Sequence, residues 1–95
     1  ALEAAGADLL LLECIPAALG REITHGVHVP VIGIGAGPDT DGQILVLYDV
    51  LDITAGRKPR FVRNFMPDAG NCQAAVAAYV AAVRGATYPA PEHCF

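Results

Sequence analysis

Tryptophan is absent from the chain, methionine occurs once, and charged residues make up only 17% of the sequence. Because 54% of the residues are hydrophobic, so low a charge content excludes a disordered or solvating chain. The net charge of −4 leaves no basic excess, which argues against nucleic acid as the main partner. No apolar run approaches the roughly 20 residues that cross a bilayer, so no membrane partner is expected.

The cysteines are too few and too scattered for a structural framework. They are odd in number and lack C-x-x-C spacing: Cys14, Cys72 and Cys94. This argues against a disulfide scaffold and against a zinc site. The histidines share no spacing with acidic residues that would suggest a metal site: His25, His28 and His93. We therefore expect a reducing, cytoplasmic location and no metal ligand among these residues.

The first third of the chain has the pattern of a β-helix-β unit. Its opening, ALEAAG, is typical of the end of a helix that stops at Gly6, so we expect the chain to begin inside a longer protein. Residues 8–13 form a continuous apolar run, which predicts a parallel strand covered on both faces. A helix over about 16–25 and a second strand from Pro30 follow, with a right-handed crossover. The alternation predicts an α/β fold.

The second half is harder to assign from the sequence. Residues 43–51 suit a strand by composition, but a helix capped by Asp41 is favoured because too few residues remain for a helical crossover. A short helical turn is expected around residues 61–65. Asn71 is the expected cap of a last helix that ends at Gly85. The tail, with its two prolines, is expected to run extended over the surface or onto another subunit.

Glu13 is the leading candidate for a catalytic residue. It ends a run of four leucines and so lies at the C-terminal end of a buried strand, where α/β barrels place their active sites. Apolar neighbours would raise the pKa of the carboxyl towards the range of a general base. The alternative is a carboxylate that caps the next helix or pairs with an arginine. Cys14, beside it, is interpreted as a buried thiol rather than a nucleophile.

The glycines of the segment IGIGAG have two interpretations. Their backbone could approach a ligand and cradle an anion, or they could form a tight corner after the strand. The segment lacks the G-x-G-x-x-G spacing of a dinucleotide site. The nearby basic cluster is more typical of a solvated face than of an anion site or a subunit contact: Arg57, Lys58, Arg60 and Arg63.

Several segments in order resemble the ketopantoate hydroxymethyltransferase family. These segments are LEAAGADLLLLEC, VPVIGIGAGPDTDGQILVLYDVLDIT, FVRNF and YPAPEHCF, and together they cover essentially the whole chain. The resemblance implies the C-terminal third of a (β/α)8 TIM-type barrel of the phosphoenolpyruvate/pyruvate-like kind. It places a barrel portion at about 1–67 and a C-terminal helix and tail at about 68–95 of a single domain. Cys94 stands where the family pattern EHSF would have serine.

The resemblance also implies a reaction. The family transfers a hydroxymethyl group from 5,10-methylenetetrahydrofolate to the α-keto acid 3-methyl-2-oxobutanoate, in pantothenate biosynthesis. Glu13 matches its general base, and three residues match the apolar wall of its keto-acid pocket: Ile34, Ile44 and Val46. A magnesium ion is implied, with its ligands upstream of this chain, and so is a homo-oligomer, a decamer. The 95 residues alone are expected to be inactive.

Two other functions stay open at this stage. One is a different barrel enzyme that binds phosphate or flavin at IGIGAG. The other is a non-catalytic assembly fragment.

Overall fold

The computed structural model describes residues 1–95 and has an α/β architecture. Its parallel sheet has the order β1-β2-β3, with β1 at Leu10–Glu13, β2 at Val31–Ile34 and β3 at Gly42–Gln43. The helices are α1 (Ala17–Gly26), α2 (Leu47–Val50), α3 (Met66–Ala69) and α4 (Cys72–Arg84), and a 3₁₀ turn covers Pro91–His93. Three strands do not close a barrel, so the (β/α)8 architecture remains a prediction from the sequence.

The chain enters β1 through a helical turn that ends at Gly6. Ala5 N–H donates to the carbonyl of Ala1, as in an α-helix. Gly6 has a positive φ of 107°, and the amides of Gly6 and Ala7 donate to the carbonyls of Glu3 and Leu2. These two hydrogen bonds form the Schellman motif, which commonly ends a helix. The helix stop predicted at Gly6 is confirmed.

The β1-α1-β2 unit agrees with the predicted elements. β1 pairs in parallel with β2, Leu10 opposite Val31 and Glu13 opposite Ile34. Val31 on β2 is fully buried, whereas Leu9, just before β1, and Leu11 on β1 are 52% and 55% exposed. The cover predicted on both faces of residues 8–13 is therefore not supplied within this chain. The outer edge of β1 carries no partner strand within this chain.

The helix predicted over residues 43–51 with Asp41 as its cap is wrong. Gly42–Gln43 form the short strand β3, and the helical part is the single turn α2, preceded by Val46 rather than by Asp41. The Asp41 carboxylate instead accepts the N–H of Val31, 2.8 Å away. No helical crossover is needed because β3 pairs at only two positions, Ile32 with Gly42 and Gly33 with Gln43. The connecting loop therefore returns along only a short length of β2.

The helical turn expected at 61–65 is displaced towards the C-terminus. The turn is α3 at Met66–Ala69, with Pro67 in its first turn, where a missing amide hydrogen costs little. The last helix starts as predicted, since the Asn71 side chain accepts the N–H of Ala74 at 2.9 Å. Helix α4 ends at Arg84, but the residue with left-handed backbone is Ala86 (φ 57°), one position beyond the expected stop at Gly85.

The main apolar cluster lies under α4. It consists of buried residues from α2, α4 and the segments around them: Val50, Phe65, Ala75, Ala82 and Tyr88. The rings of Phe65 and Tyr88 meet edge to face with centroids 5.7 Å apart, a favourable aromatic geometry. The tail was expected to run extended over the surface or onto another subunit, and for this part the expectation is wrong. Tyr88 is only 3% exposed, so the tail folds into the core of its own chain.

No helix of the chain is both long and apolar enough to span a membrane.

Candidate active site

The carboxyl ends of the three parallel strands bring together the residues that the sequence singled out. Glu13 is the last residue of β1 and lies opposite Ile34, the last residue of β2. The register continues past both strands, because Cys14 N–H donates to the carbonyl of Ile34 at 3.0 Å. Ile44, just after β3, donates its N–H to the carbonyl of Gly33 at 3.0 Å. Glu13, Ile34 and Ile44 therefore follow one another along one edge of the sheet.

Within this chain the residues at the carboxyl ends of the two outer strands are exposed, whereas the end of the central strand β2 is buried. Ile34 is 7% exposed, whereas Ile44 is 43% and Val46 53% exposed. Glu13 is exposed, and its carboxylate forms no hydrogen bond or ion pair with another residue. The alternative of a carboxylate that caps α1 or pairs with arginine is thus not observed. The apolar surroundings expected for it are not supplied by these 95 residues either, because Glu13 is exposed.

The turn that follows Glu13 has an unusual backbone. Cys14 has a φ of 51°, in the left-handed region of backbone conformation that residues other than glycine rarely adopt. The reversal lets the chain leave β1 and begin α1 at Ala17 within four residues of Glu13. The thiol of Cys14 was expected to be buried, but the residue is exposed. Backbone conformations of this kind are often found at functional sites, and this one lies directly after the candidate base.

Tight internal packing accounts for the glycines of IGIGAG. A Cβ on Gly33 would lie 2.9 Å from Thr40 Oγ1, one on Gly35 would lie 2.7 Å from Phe61 Cδ2, and one on Gly37 would lie 2.5 Å from Ala17 Cβ. Protein atoms thus occupy the space beside each glycine. This packing favours the interpretation as a strand-end corner, since close contacts within the protein are enough to require glycine at each position.

A hydrogen-bond network that the sequence did not predict fixes β3. The Tyr79 hydroxyl on α4 donates to the carbonyl of Gln43 at 3.2 Å. The Gln43 side-chain amide donates to the carbonyl of Gly37 at 2.8 Å and to Thr40 Oγ1 at 3.0 Å. These bonds connect the C-terminal helix to the loop at the strand ends. The local sequence pattern does not predict the hydrogen bond of Tyr79, because its partner Gln43 lies 36 residues earlier in the chain.

A second missed group is Tyr88, which anchors the segment after α2. Its hydroxyl donates to the carbonyl of Phe61 at 2.5 Å, and burial raises the pKa of Tyr88 well above its ordinary value. The carboxylate of Asp49, which is 6% exposed, adds to that rise and itself accepts the Thr54 hydroxyl at 2.5 Å. Because Phe61 packs on Gly35, Tyr88 indirectly supports the carboxyl edge of the sheet.

The chain does not contain the ligands of a metal centre. No group of three or more potential ligands comes together. Near the strand ends, Asp39 pairs with Arg21 at 2.8 Å and Asp41 accepts the N–H of Val31, which leaves only Glu13. Magnesium prefers six oxygen ligands in near-octahedral geometry. These residues by themselves therefore do not fit a magnesium site.

Comparison with known proteins decides the family. The family model of ketopantoate hydroxymethyltransferase matches residues 1–91. The chain belongs to this family. It is 65% identical over 95 residues to the 3-methyl-2-oxobutanoate hydroxymethyltransferase of Alkalilimnicola ehrlichii, covering 100% of the chain and 34% of that protein. It is 62% identical over 94 residues to the protein of the same name from Marinobacter nauticus, covering 99% of the chain and 36% of that protein.

The chain therefore spans about a third of the length of the curated relatives it matches. The family resemblance noted in the sequence is confirmed along its whole length.

Proposed function

We propose that the chain forms the C-terminal third of a ketopantoate hydroxymethyltransferase with a (β/α)8 barrel. In this proposal residues of about 1–67 belong to the barrel, and those of about 68–95 form its C-terminal helix and tail. The observation that carries the proposal is the carboxylate of Glu13 at the carboxyl end of a parallel strand, beside Ile34 and one strand away from Ile44. Barrel enzymes place their catalytic residues at this end of the strands.

The proposed reaction begins with proton removal from 3-methyl-2-oxobutanoate. The Glu13 carboxylate takes the proton from the carbon beside the keto group, and the electron pair of that C–H bond becomes the enolate. Water hydrolyses the methylene bridge of 5,10-methylenetetrahydrofolate, which breaks both C–N bonds of the one-carbon unit and releases tetrahydrofolate and formaldehyde. The enolate carbon forms a C–C bond to the formaldehyde carbon, and the formaldehyde oxygen takes the proton held by Glu13 to become the new hydroxyl group. Glu13 meets the first requirement of a general base, since its carboxylate is not engaged by any other side chain.

Three apolar residues at or after the ends of β2 and β3 have a proposed role in substrate binding. Ile34, Ile44 and Val46 would contact the branched alkyl group of the keto acid. Support comes from their location, because Ile34 lies beside Glu13 and Ile44 follows the adjacent strand. The exposure of Ile44 and Val46 within this chain leaves apolar surface available for a ligand or for the rest of the barrel.

The remaining features of the proposal come from the family resemblance. Magnesium would be bound by residues outside the 95 described here, and the keto acid and folate would be the small-molecule partners. A homo-oligomer, a decamer in the family, is proposed for the assembled enzyme. A cytoplasmic location is supported by the three cysteines, none of which is in a disulfide.

A barrel enzyme that binds phosphate or flavin at IGIGAG is less well supported. The glycines of that segment pack closely on Thr40, Phe61 and Ala17, so internal packing accounts for them without a ligand.

The proposal is tested by replacing Glu13 with glutamine in the full-length enzyme. Removal of a general base typically costs a factor of about 10²–10⁴ in rate. Ketopantoate formation from the keto acid and methylenetetrahydrofolate should fall by this amount in the Glu13→Gln variant, with the oligomer unchanged by sedimentation. Glu22→Gln is the matched control, since Glu22 is an exposed carboxylate on α1 without an ion pair. Equal activity of both variants would remove the role of Glu13.

A further inference from the structure

Both polar atoms of one peptide group at the carboxyl end of the sheet are held by hydrogen bonds. This peptide group joins Gln43, the last residue of β3, to Ile44. Its N–H donates to the carbonyl of Gly33 on β2 at 3.0 Å, and its carbonyl oxygen accepts the hydroxyl of Tyr79 on α4 at 3.2 Å. The position of Ile44 relative to the sheet therefore depends on a side chain of the C-terminal helix.

The ring of Tyr79 is fixed by two other aromatic rings. It meets Phe65 and Tyr88 edge to face, with ring centroids 5.5 Å and 6.1 Å away, and both of these residues are buried in the core. Burial raises the pKa of Tyr79, so its hydroxyl stays protonated and donates its hydrogen bond at neutral pH. Tyr79 thus connects the packed core to the end of β3.

The loop that leads into β3 is closed by hydrogen bonds other than that of Tyr79. The Gln43 side-chain amide donates to the carbonyl of Gly37 at 2.8 Å and to Thr40 Oγ1 at 3.0 Å. The Thr40 hydroxyl in turn donates to the carbonyl of Gly42 at 2.8 Å. Loss of the Tyr79 hydroxyl should therefore leave this loop closed and loosen mainly the end of β3 and the residues that follow it.

Ile44 lies in line with Glu13 across the sheet. The register pairs Glu13 with Ile34 on one side of β2 and Gly33 with Gln43 on the other. One position further along the second pair, Ile34 lies beside Ile44. In-register side chains of neighbouring strands point to the same face of a sheet, and two strand spacings separate Glu13 from Ile44 by roughly 10 Å. The two residues are therefore close enough to contact one small substrate from both sides.

We propose that Tyr79 is a positioning residue that holds Ile44 against the alkyl group of the keto acid. The inference rests on the proposed function, in which Glu13 removes a proton from 3-methyl-2-oxobutanoate. The carbon that loses the proton carries two methyl groups, so apolar contact with them forms beside the base. A side chain held from the core makes this contact at a smaller cost in entropy than one that moves freely. Tyr79 thereby acts on the choice of substrate rather than on proton transfer, because its hydroxyl lies at β3, two strands from Glu13.

The test replaces Tyr79 with phenylalanine in the full-length enzyme and compares two keto acids. Phenylalanine keeps the ring and removes only the hydroxyl. Loss of one hydrogen bond between neutral groups changes an equilibrium constant by about two- to tenfold. The KM for 3-methyl-2-oxobutanoate should therefore rise by this factor in Tyr79→Phe, with kcat unchanged. The preference for this substrate over 2-oxobutanoate, which lacks one methyl group, should fall.

Tyr48→Phe is the matched control, because Tyr48 lies on α2 and is 61% exposed. This variant loses the same hydroxyl group and should keep both KM values and the substrate preference. Hydrogen exchange followed by mass spectrometry provides a readout without substrate. The Ile44 amide, which donates to Gly33, should exchange faster in Tyr79→Phe than in the wild type or Tyr48→Phe.

Equal KM values and equal substrate preference in the wild type and Tyr79→Phe overturn the inference and leave the reaction intact. A lower kcat for both keto acids at unchanged preference also overturns it, since Tyr79 would then only stabilise the fold. If the wild type forms no ketopantoate, the proposed function fails, and calorimetric binding of the two keto acids decides the inference separately. Weaker binding of 3-methyl-2-oxobutanoate by Tyr79→Phe than by the wild type supports it, and equal binding overturns it.

Discussion

Two glycines in one helix provide a direct test of how closely α1 packs on the strand-end loop. Gly20 and Gly26 both belong to α1, so alanine at either position gains helix propensity, by about 1 kcal/mol in a helix interior. Their surroundings differ. A Cβ on Gly20 would lie 2.4 Å from the carbonyl oxygen of Ala36, whereas a Cβ on Gly26 would meet nothing within 4 Å.

The contact at Gly20 decides whether its replacement by alanine stabilises or destabilises the protein. The carbonyl of Ala36 belongs to the backbone, so the helix or the loop has to move to make room, at a cost of about 1–3 kcal/mol. After subtracting the propensity gain, Gly20→Ala should destabilise the protein by up to about 2 kcal/mol. Gly26→Ala should stabilise it by about 0.5–1 kcal/mol, somewhat less than in mid-helix because the residue ends the helix.

Thermal unfolding of the two variants and the wild type, at one protein concentration, measures the difference. The midpoint of Gly20→Ala should fall and that of Gly26→Ala should rise. In the full-length enzyme the proposed formation of ketopantoate should also decrease in Gly20→Ala alone, because Ala36 lies in the loop at the strand ends. If Gly20→Ala stabilised the protein as much as Gly26→Ala, the close approach of α1 to the loop would be refuted.

Two further predictions concern the C-terminal region. Burial raises the pKa of Tyr88, so its neutral form is favoured in the folded state, and its contribution to stability is complete below about pH 10, the ordinary tyrosine value. The free energy of unfolding should therefore decrease as pH rises above 10. Tyr88→Phe should make that decrease less steep, and at neutral pH it should cost about 1–3 kcal/mol because the Phe61 carbonyl loses its hydrogen-bond donor. An equal pH slope in both proteins would contradict the raised pKa of Tyr88. Ala86 has a φ of 57°, so Ala86→Gly should raise stability by about 0.5–1 kcal/mol in urea unfolding, and a loss of stability would show that the helix end is not strained.

The sequence predicted the elements that depend on local signals. The apolar run before Glu13, the glycine stop at Gly6 and the cap at Asn71 each have a local physical cause, and each is found in the structure. The family could also be inferred, because its motifs are contiguous along the chain.

Elements that depend on distant partners were not predictable in this way. The strand β3 exists because Gly42 and Gln43 pair with β2 and because Tyr79 holds Gln43 from α4. Asp41 looked like a helix cap because aspartate favours that position, but its carboxylate binds the N–H of Val31 instead. The tail looked extended because of its prolines, yet Tyr88 carries enough apolar surface to be buried in the core.

The site shows the same division between local and distant information. The location of Glu13 at a strand end follows from the run of leucines before it, and the structure places Ile34 opposite it. Its surroundings do not follow from these residues, since the carboxylate is exposed within a chain that spans a third of its relatives' length. The glycines of IGIGAG had two interpretations until the positions of Phe61 and Ala17 showed what they contact.

Proton exchange in the keto acid tests the role of Glu13 most directly, because it reports the first step without carbon transfer. The full-length enzyme is incubated with 3-methyl-2-oxobutanoate and magnesium in deuterated water, without folate, and loss of the proton beside the keto group is followed by NMR. We expect the wild type and the Glu22→Gln control to exchange this proton at equal rates, and Glu13→Gln to exchange it at least about 10² times more slowly. Exchange by Glu13→Gln at the wild-type rate would contradict the assignment of Glu13 as the base.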